Sequence, residues 1–77
     1  SRGLGVVYKR QEEYKGAIDL RPNYLVAWNN LGDAYKKTKD YKSALDAYKV
    51  SINIDPSNKV AQEQVTFLKN RVNRLTK

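Results

Sequence analysis

The charged side chains of this chain are fifteen Lys/Arg and eight Asp/Glu, and its 77 residues include neither His nor Cys. That excludes the usual zinc ligand sets and the Ser/His or Cys/His nucleophilic arrangements. It also leaves no disulfide framework and no thiolate site. Paired carboxylates could in principle move a proton. Here the acids fall on turns or alternate with Lys, as in KTKDYKSALD (Lys37–Asp46), which reads as a solvated helix face. The run GLG (Gly3–Gly5) is too short for a phosphate-cradling loop. No catalytic residue, metal ligand or cofactor is expected. What remains is the cationic surplus, a formal net charge of +7. It favours acidic partners: an acidic protein face, nucleic acid or an anionic membrane surface.

These side chains need a scaffold, and the chain is long enough for one small domain. A domain of this size buries only about 60% of its unfolded surface, so marginal stability is expected. No apolar run approaches the length of a membrane span. No signal peptide is visible, and the chain opens on Ser1 without a methionine. A piece of a longer protein is expected, with any anchoring segment outside it.

The scaffold repeats itself. LGVVYKRQEEYKGAID (Leu4–Asp19) overlays LGDAYKKTKDYKSALD (Leu31–Asp46) at an offset of 27, pairing Leu4/Leu31, Gly5/Gly32, Tyr8/Tyr35, Lys9/Lys36 and Ala17/Ala44. The offset becomes 34 for Ile18/Ile52 and Pro22/Pro56, with the switch near Gly16–Leu20. The first copy therefore lacks seven residues that the second has. Seven residues are about two helical turns, and a helix shortened by them keeps its facing direction to within ~20°. Either the loss is genuine, or seven residues of the natural chain are absent from this stretch.

The complete copy reads as two helices. In the first, about Tyr24–Lys37, Trp28, Leu31 and Tyr35 recur at amphipathic spacing. Asp40 is a good N-cap for the second, about Tyr41–Ile54, with Ala44, Leu45, Tyr48 and Ile52 on its apolar face. DPSN (Asp55–Asn58) stops it, since Pro56 cannot continue a helix and Ser57 or Asn58 can cap the next. A last helix, about Lys59–Thr76, carries the stripe Ala61, Val65, Leu68, Val72, Leu75. Nothing reads as strand.

Trp28, Leu31, Gly32, Tyr35, Ala44, Tyr48 and Pro56 reproduce the tetratricopeptide pattern W-x2-L-G-x2-Y, A-x3-F, P, with Tyr48 in place of Phe. The chain therefore resembles that family. The resemblance implies an all-α solenoid of helix-turn-helix repeats, antiparallel pairs stacked into a right-handed superhelix with a concave groove. Residues 1–22 would be a truncated first repeat keeping Leu4, Gly5, Tyr8, Ala17 and Pro22. Residues 25–58 would be a complete repeat, and 59–77 the C-terminal capping helix that such arrays need. Gly32 is expected where the helices cross closely, with Ala44 facing it. Tyr8, Tyr14, Tyr35, Tyr41 and Tyr48 are expected at packing positions, and Trp28 as packing rather than a base-stacking platform. About two repeats and a cap is fewer than usually stands alone, so an oligomer, upstream repeats or a bound partner is expected to help.

A narrower resemblance joins AWNNLGDAY (Ala27–Tyr35), NKVA (Asn58–Ala61) and LKNRVNRL (Leu68–Leu75). Together they are similar to the C-terminal part of the tetratricopeptide photosystem I assembly factors of cyanobacterial and chloroplast thylakoids. That implies a non-catalytic scaffold on the stromal or cytoplasmic face, held at the membrane through segments outside this stretch. Its partners would be photosystem I subunits or other assembly factors, with no small-molecule substrate.

In such repeats the first helix of each pair lines the concave face. The resemblance then places Asn29, Asp33, Lys36 and Lys37 there from the complete copy. Arg2, Val6, Lys9 and Arg10 would join from the first, and Glu63, Phe67, Asn70 and Arg71 from the last. Lys9/Lys36 and Arg10/Lys37 would stack one repeat apart as a positive stripe for an acidic segment. Rival readings stay open. A co-chaperone clamp for an acidic C-terminal peptide could use Asn30 as its central Asn, but Val60 and Gln64 stand where its Lys and Arg should be. An RNA-binding helical repeat and a regulatory domain cut from an enzyme are the others.

Overall fold

The turn signals of the complete copy work as local chemistry requires. The computed structural model describes residues 2–75, and the side chains of 3–74. Four helices occur among the described residues: α1 (Arg2–Leu20), α2 (Leu25–Lys37), α3 (Tyr41–Ile54) and α4 (Lys59–Leu75). Asp40 caps α3, its Oδ1 accepting from the Ser43 N–H at 3.2 Å. Asn58 caps α4 in the same way, accepting from the Ala61 N–H at 3.2 Å. Each satisfies one donor that a helix start leaves without a partner. Between α2 and α3 the chain reverses through Lys39, whose φ of 64° is left-handed. The Asp40 N–H then returns to the Tyr35 carbonyl at 2.9 Å, closing the α2 end.

The main core lies between α3 and α4. Ala44, Leu45 and Tyr48 pack on Ala61, Val65 and Leu68, with Tyr35, Tyr41, Ile52 and Val72 around them. Burying a side chain such as Leu68, fully enclosed here, contributes about 1.5–3 kcal/mol. Gly32 lets α2 approach: a Cβ there would lie 2.6 Å from Tyr48 Cε2. The expected neighbour was Ala44. The ring of Tyr48, one turn further along α3, is what occupies the space that Gly32 leaves open, while Ala44 is buried in the α3–α4 core.

The first copy departs from the expected helix pair. α1 is a single helix of 19 residues. The turn of the complete copy, Thr38-Lys39-Asp40, corresponds to Gln11-Glu12-Glu13 in the first, and these are good helix formers with no left-handed residue and no strong cap. Helix therefore runs through. Gln11 is buried and pins α1 to the end of α2, its Nε2 donating to the Ala34 carbonyl at 3.3 Å and to Thr38 Oγ1 at 3.1 Å. A short turn at Arg21–Tyr24 joins the other ends, so α1 runs antiparallel to α2. It occupies the place of a second helix, not a first. Leu4 and Tyr8 are consequently exposed, at 41% and 52%, and nothing lies within 4 Å of a Cβ at Gly5. Tyr8 is thus not a packing residue, because α2 ends before it can meet one.

The rest of the repeat pattern is placed more conventionally. Leu31 and Ala44 are buried, and Ala17, Tyr14 and Tyr35 are half-buried. Trp28 is half-buried, and its indole N–H donates to the Pro22 carbonyl at 2.8 Å. That bond gives Pro22 a role in fixing the α1–α2 turn. Pro56 lies exposed in the α3–α4 turn.

Candidate partner-binding groove

With α1 and α3 in the place of second helices, α2 and α4 are the candidate inner wall by the repeat pattern. On α4, Val60, Gln64, Phe67 and Arg71 recur at steps of four, three and four, one stripe beside the buried one. Lys36 of α2 meets this stripe. Its Nζ donates to Gln64 Oε1 at 2.7 Å and lies 5.8 Å from the centre of the Phe67 ring. A neutral amide and a ring hold the ammonium, so its charge stays uncompensated by any ion pair among the described residues. Phe67 and Val60 remain more than half exposed, at 51% and 64%. The wall thus combines a fixed cation with apolar surface.

Other expected groove residues divide. Asp33 and Lys37 are exposed on α2 and pair with each other at 3.3 Å, an i,i+4 bridge worth only about 0.3–0.5 kcal/mol and easily exchanged. Asn29 is not free: its Oδ1 accepts from the buried Ser51 hydroxyl, tying α2 to α3. Arg71 turns to α3, its guanidinium carbon 4.7 Å from the Tyr41 ring centre and Nη2 3.5 Å from the Tyr41 hydroxyl. Asn70 and Glu63 are exposed on α4. Lys9, Arg10 and Val6 are exposed on α1. The Arg2 side chain lies outside the described residues. Lys9 and Lys36 do not stack as repeat equivalents, because α1 runs against α2 rather than with it.

The cross-groove triplet of Lys36, Gln64 and Phe67 escaped the sequence reading. Gln64 entered it only as a residue unfit for a clamp. The available signal was the i, i+3 spacing of Gln64 and Phe67 on the flank of the α4 stripe. A second hollow was missed altogether. It is a cavity of about 420 Å³ where α1, α2 and α3 meet, lined among others by Ile18, Trp28, Leu31, Tyr35, Ala47 and Val50. Lys15 stands at its edge, 5.7 Å from the Tyr35 ring centre, and a hydrogen bond to Tyr35 raises its pKa above the ordinary lysine value.

Among the described residues no group of three or more Asp or Glu could hold a metal ion, and no helix is long and apolar enough to cross a membrane. Residues 26–58 match the family model described as Tetratricopeptide repeat. The chain is also similar to the Tetratricopeptide repeat domain-containing protein PYG7, chloroplastic, of Arabidopsis thaliana, at 43% identity over 76 residues. That match takes in 90% of this chain and 25% of the relative. The chain thus spans a quarter of the relative's length.

Proposed function

Because this chain is a tetratricopeptide-repeat solenoid of the all-α class, we propose that it is a non-catalytic protein-binding scaffold in photosystem I assembly. It captures acidic segments of partner proteins, photosystem I subunits or other assembly factors, in the groove between α2 and α4. The observation that carries this reading is Lys36. A cation held 2.7 Å from a neutral amide and beside an exposed Phe67 is preorganised for a carboxylate, with apolar surface for the neighbouring side chain. The chloroplastic relative supports a chloroplast location. The stromal face of the thylakoid, with attachment through other parts of the full protein, completes the proposal.

The division into a truncated first repeat (1–22), a complete repeat (25–58) and a cap (59–77) belongs to the same proposal. The family match over residues 26–58 supports the bounds of the complete repeat.

The test is a titration of fluorescent acidic peptides, taken from stromal segments of photosystem I subunits, against the chain and its Lys36→Glu/Lys37→Glu variant. Binding that weakens about tenfold or more, equivalent to ~1.4 kcal/mol, supports the groove. Unchanged affinity overturns it. A parallel titration with single-stranded RNA at low and high salt separates the nucleic-acid reading, since phosphate contacts weaken steeply with salt.

A further inference from the structure

α1 is longer than the helix it packs on. Gln11 bonds to the last turn of α2 and to Thr38, so the residues before it project past the α2–α3 turn. At 1.5 Å per residue the overhang from Leu4 to Arg10 is roughly 10 Å. Its apolar residues are not scattered. Leu4, Val7 and Tyr8 continue at three- and four-residue steps the line of Gln11, Tyr14 and Ile18, which packs on the rest of the bundle. The α1–α2 interface thus extends beyond the end of α2 with one side missing, and Leu4 and Tyr8 stay exposed.

The end of the bundle past which α1 projects carries exposed cations. Lys39 is at the tip of the turn, held left-handed at φ 64°, where a glycine would sit without strain. Arg10 flanks the overhang, and Arg71 lies over Tyr41 at the start of α3, the same end of the bundle. The nearby acids are engaged or turned away. Asp40 caps α3, Glu12 pairs with Lys15 at 3.7 Å, and Glu13 falls on the face of α1 opposite Gln11 by helical spacing.

We infer that this notch docks an acidic amphipathic helix of a partner protein. The helix lays its apolar stripe on Leu4, Val7 and Tyr8 and presents carboxylates to Lys39 and Arg10. The spacing of the stripe calls for a helix, since it continues a helix–helix interface. The cations select the sign of its charge. A second copy of this chain, itself strongly cationic, is the wrong occupant. The inference rests on the proposed capture of acidic segments but assigns a site separate from the α2–α4 groove.

The probe is a helical peptide with one leucine stripe and an otherwise glutamate-rich surface, titrated against the whole chain. A glutamine-for-glutamate version and vesicles of phosphatidylglycerol and phosphatidylcholine are run beside it. The Leu4→Ser/Tyr8→Ser variant should bind the glutamate peptide about tenfold more weakly. Lys39→Gly, which relaxes the turn, should weaken binding without unfolding the chain. In the Lys36→Glu background, where the α2–α4 groove has lost its cation, the overhang substitutions should still weaken glutamate-peptide binding about tenfold, and the glutamine peptide should bind poorly. If Lys36→Glu abolishes binding while the overhang variant does not, the notch is overturned and the groove reading stands. Loss of glutamate-peptide binding in none of the variants overturns both. Binding of vesicles in preference to the peptide assigns the overhang to lipid and overturns the helix.

Discussion

Gly32 and Tyr48 occupy one space between them: a Cβ on the glycine would lie 2.6, 2.8 and 2.9 Å from three atoms of the tyrosine ring. The ring is buried at 5% exposure and cannot swing aside freely. Gly32→Ala should therefore destabilise the chain by about 1–3 kcal/mol, overpacking outweighing the gain of roughly 1 kcal/mol in helix propensity. Gly5→Ala is the internal control. It meets nothing within 4 Å, so it should stabilise by about 0.5–1 kcal/mol. Urea denaturation followed by circular dichroism separates the two. Equal effects of one sign would show that the close approach of α2 to Tyr48 is wrong.

Lys39→Gly should raise stability by up to about 1 kcal/mol, because the lysine Cβ strains a left-handed residue and glycine does not. A higher midpoint in the same denaturation measures it. Lys39→Ala should give no such gain.

Burial pushes the Tyr48 hydroxyl up to about 12 from its ordinary value of 10.0, with the charge of Asp33 adding to the shift. The folded state then holds the phenol proton more tightly than the unfolded state. Below pH 10 both states are protonated and the contribution is complete; between pH 10 and 12 the unfolded chain loses the proton first, and stability falls. Tyr48→Phe should lose less stability over that window than the parent. Parallel pH profiles of the melting temperature check it, with the other titrating groups common to both proteins.

Gln11→Ala should cost about 1–2 kcal/mol, since it removes two hydrogen bonds and the packing that fix α1 to the end of α2. The Ala34 carbonyl keeps its bond from the Thr38 N–H, which holds the loss near the lower figure. Hydrogen exchange should speed up in α1 more than in α3 or α4. A uniform change across all helices would instead mean that α1 does not unfold as a separate unit.

How much was legible beforehand differs from element to element. α2, α3 and α4 follow from their own residues. Asp40 and Asn58 supply caps, Pro56 ends α3, and apolar residues recur at helical spacing. Such signals act over a few residues, so reading along the chain recovers them. The groove was legible only in part. Lys36 reaches Gln64 of α4, while Asn29 is taken by Ser51 and Arg71 by Tyr41. Both partners lie on α3, far away in sequence, and no spacing rule names them.

Residue types alone determined that this chain is helical, repeated, cationic and without His or Cys. Tertiary structure alone decided what becomes of the first copy. Leu4, Gly5 and Tyr8 carry the repeat pattern, yet a first helix forms only if a second helix is there to cover it. With α1 already spent along α2, folding back at Gln11–Glu13 would surrender the Gln11 bonds and gain no cover, so these helix-forming residues stay straight and the patterned face projects. Burial, unlike helix propensity, needs a partner surface, and only the folded chain shows where that surface ends.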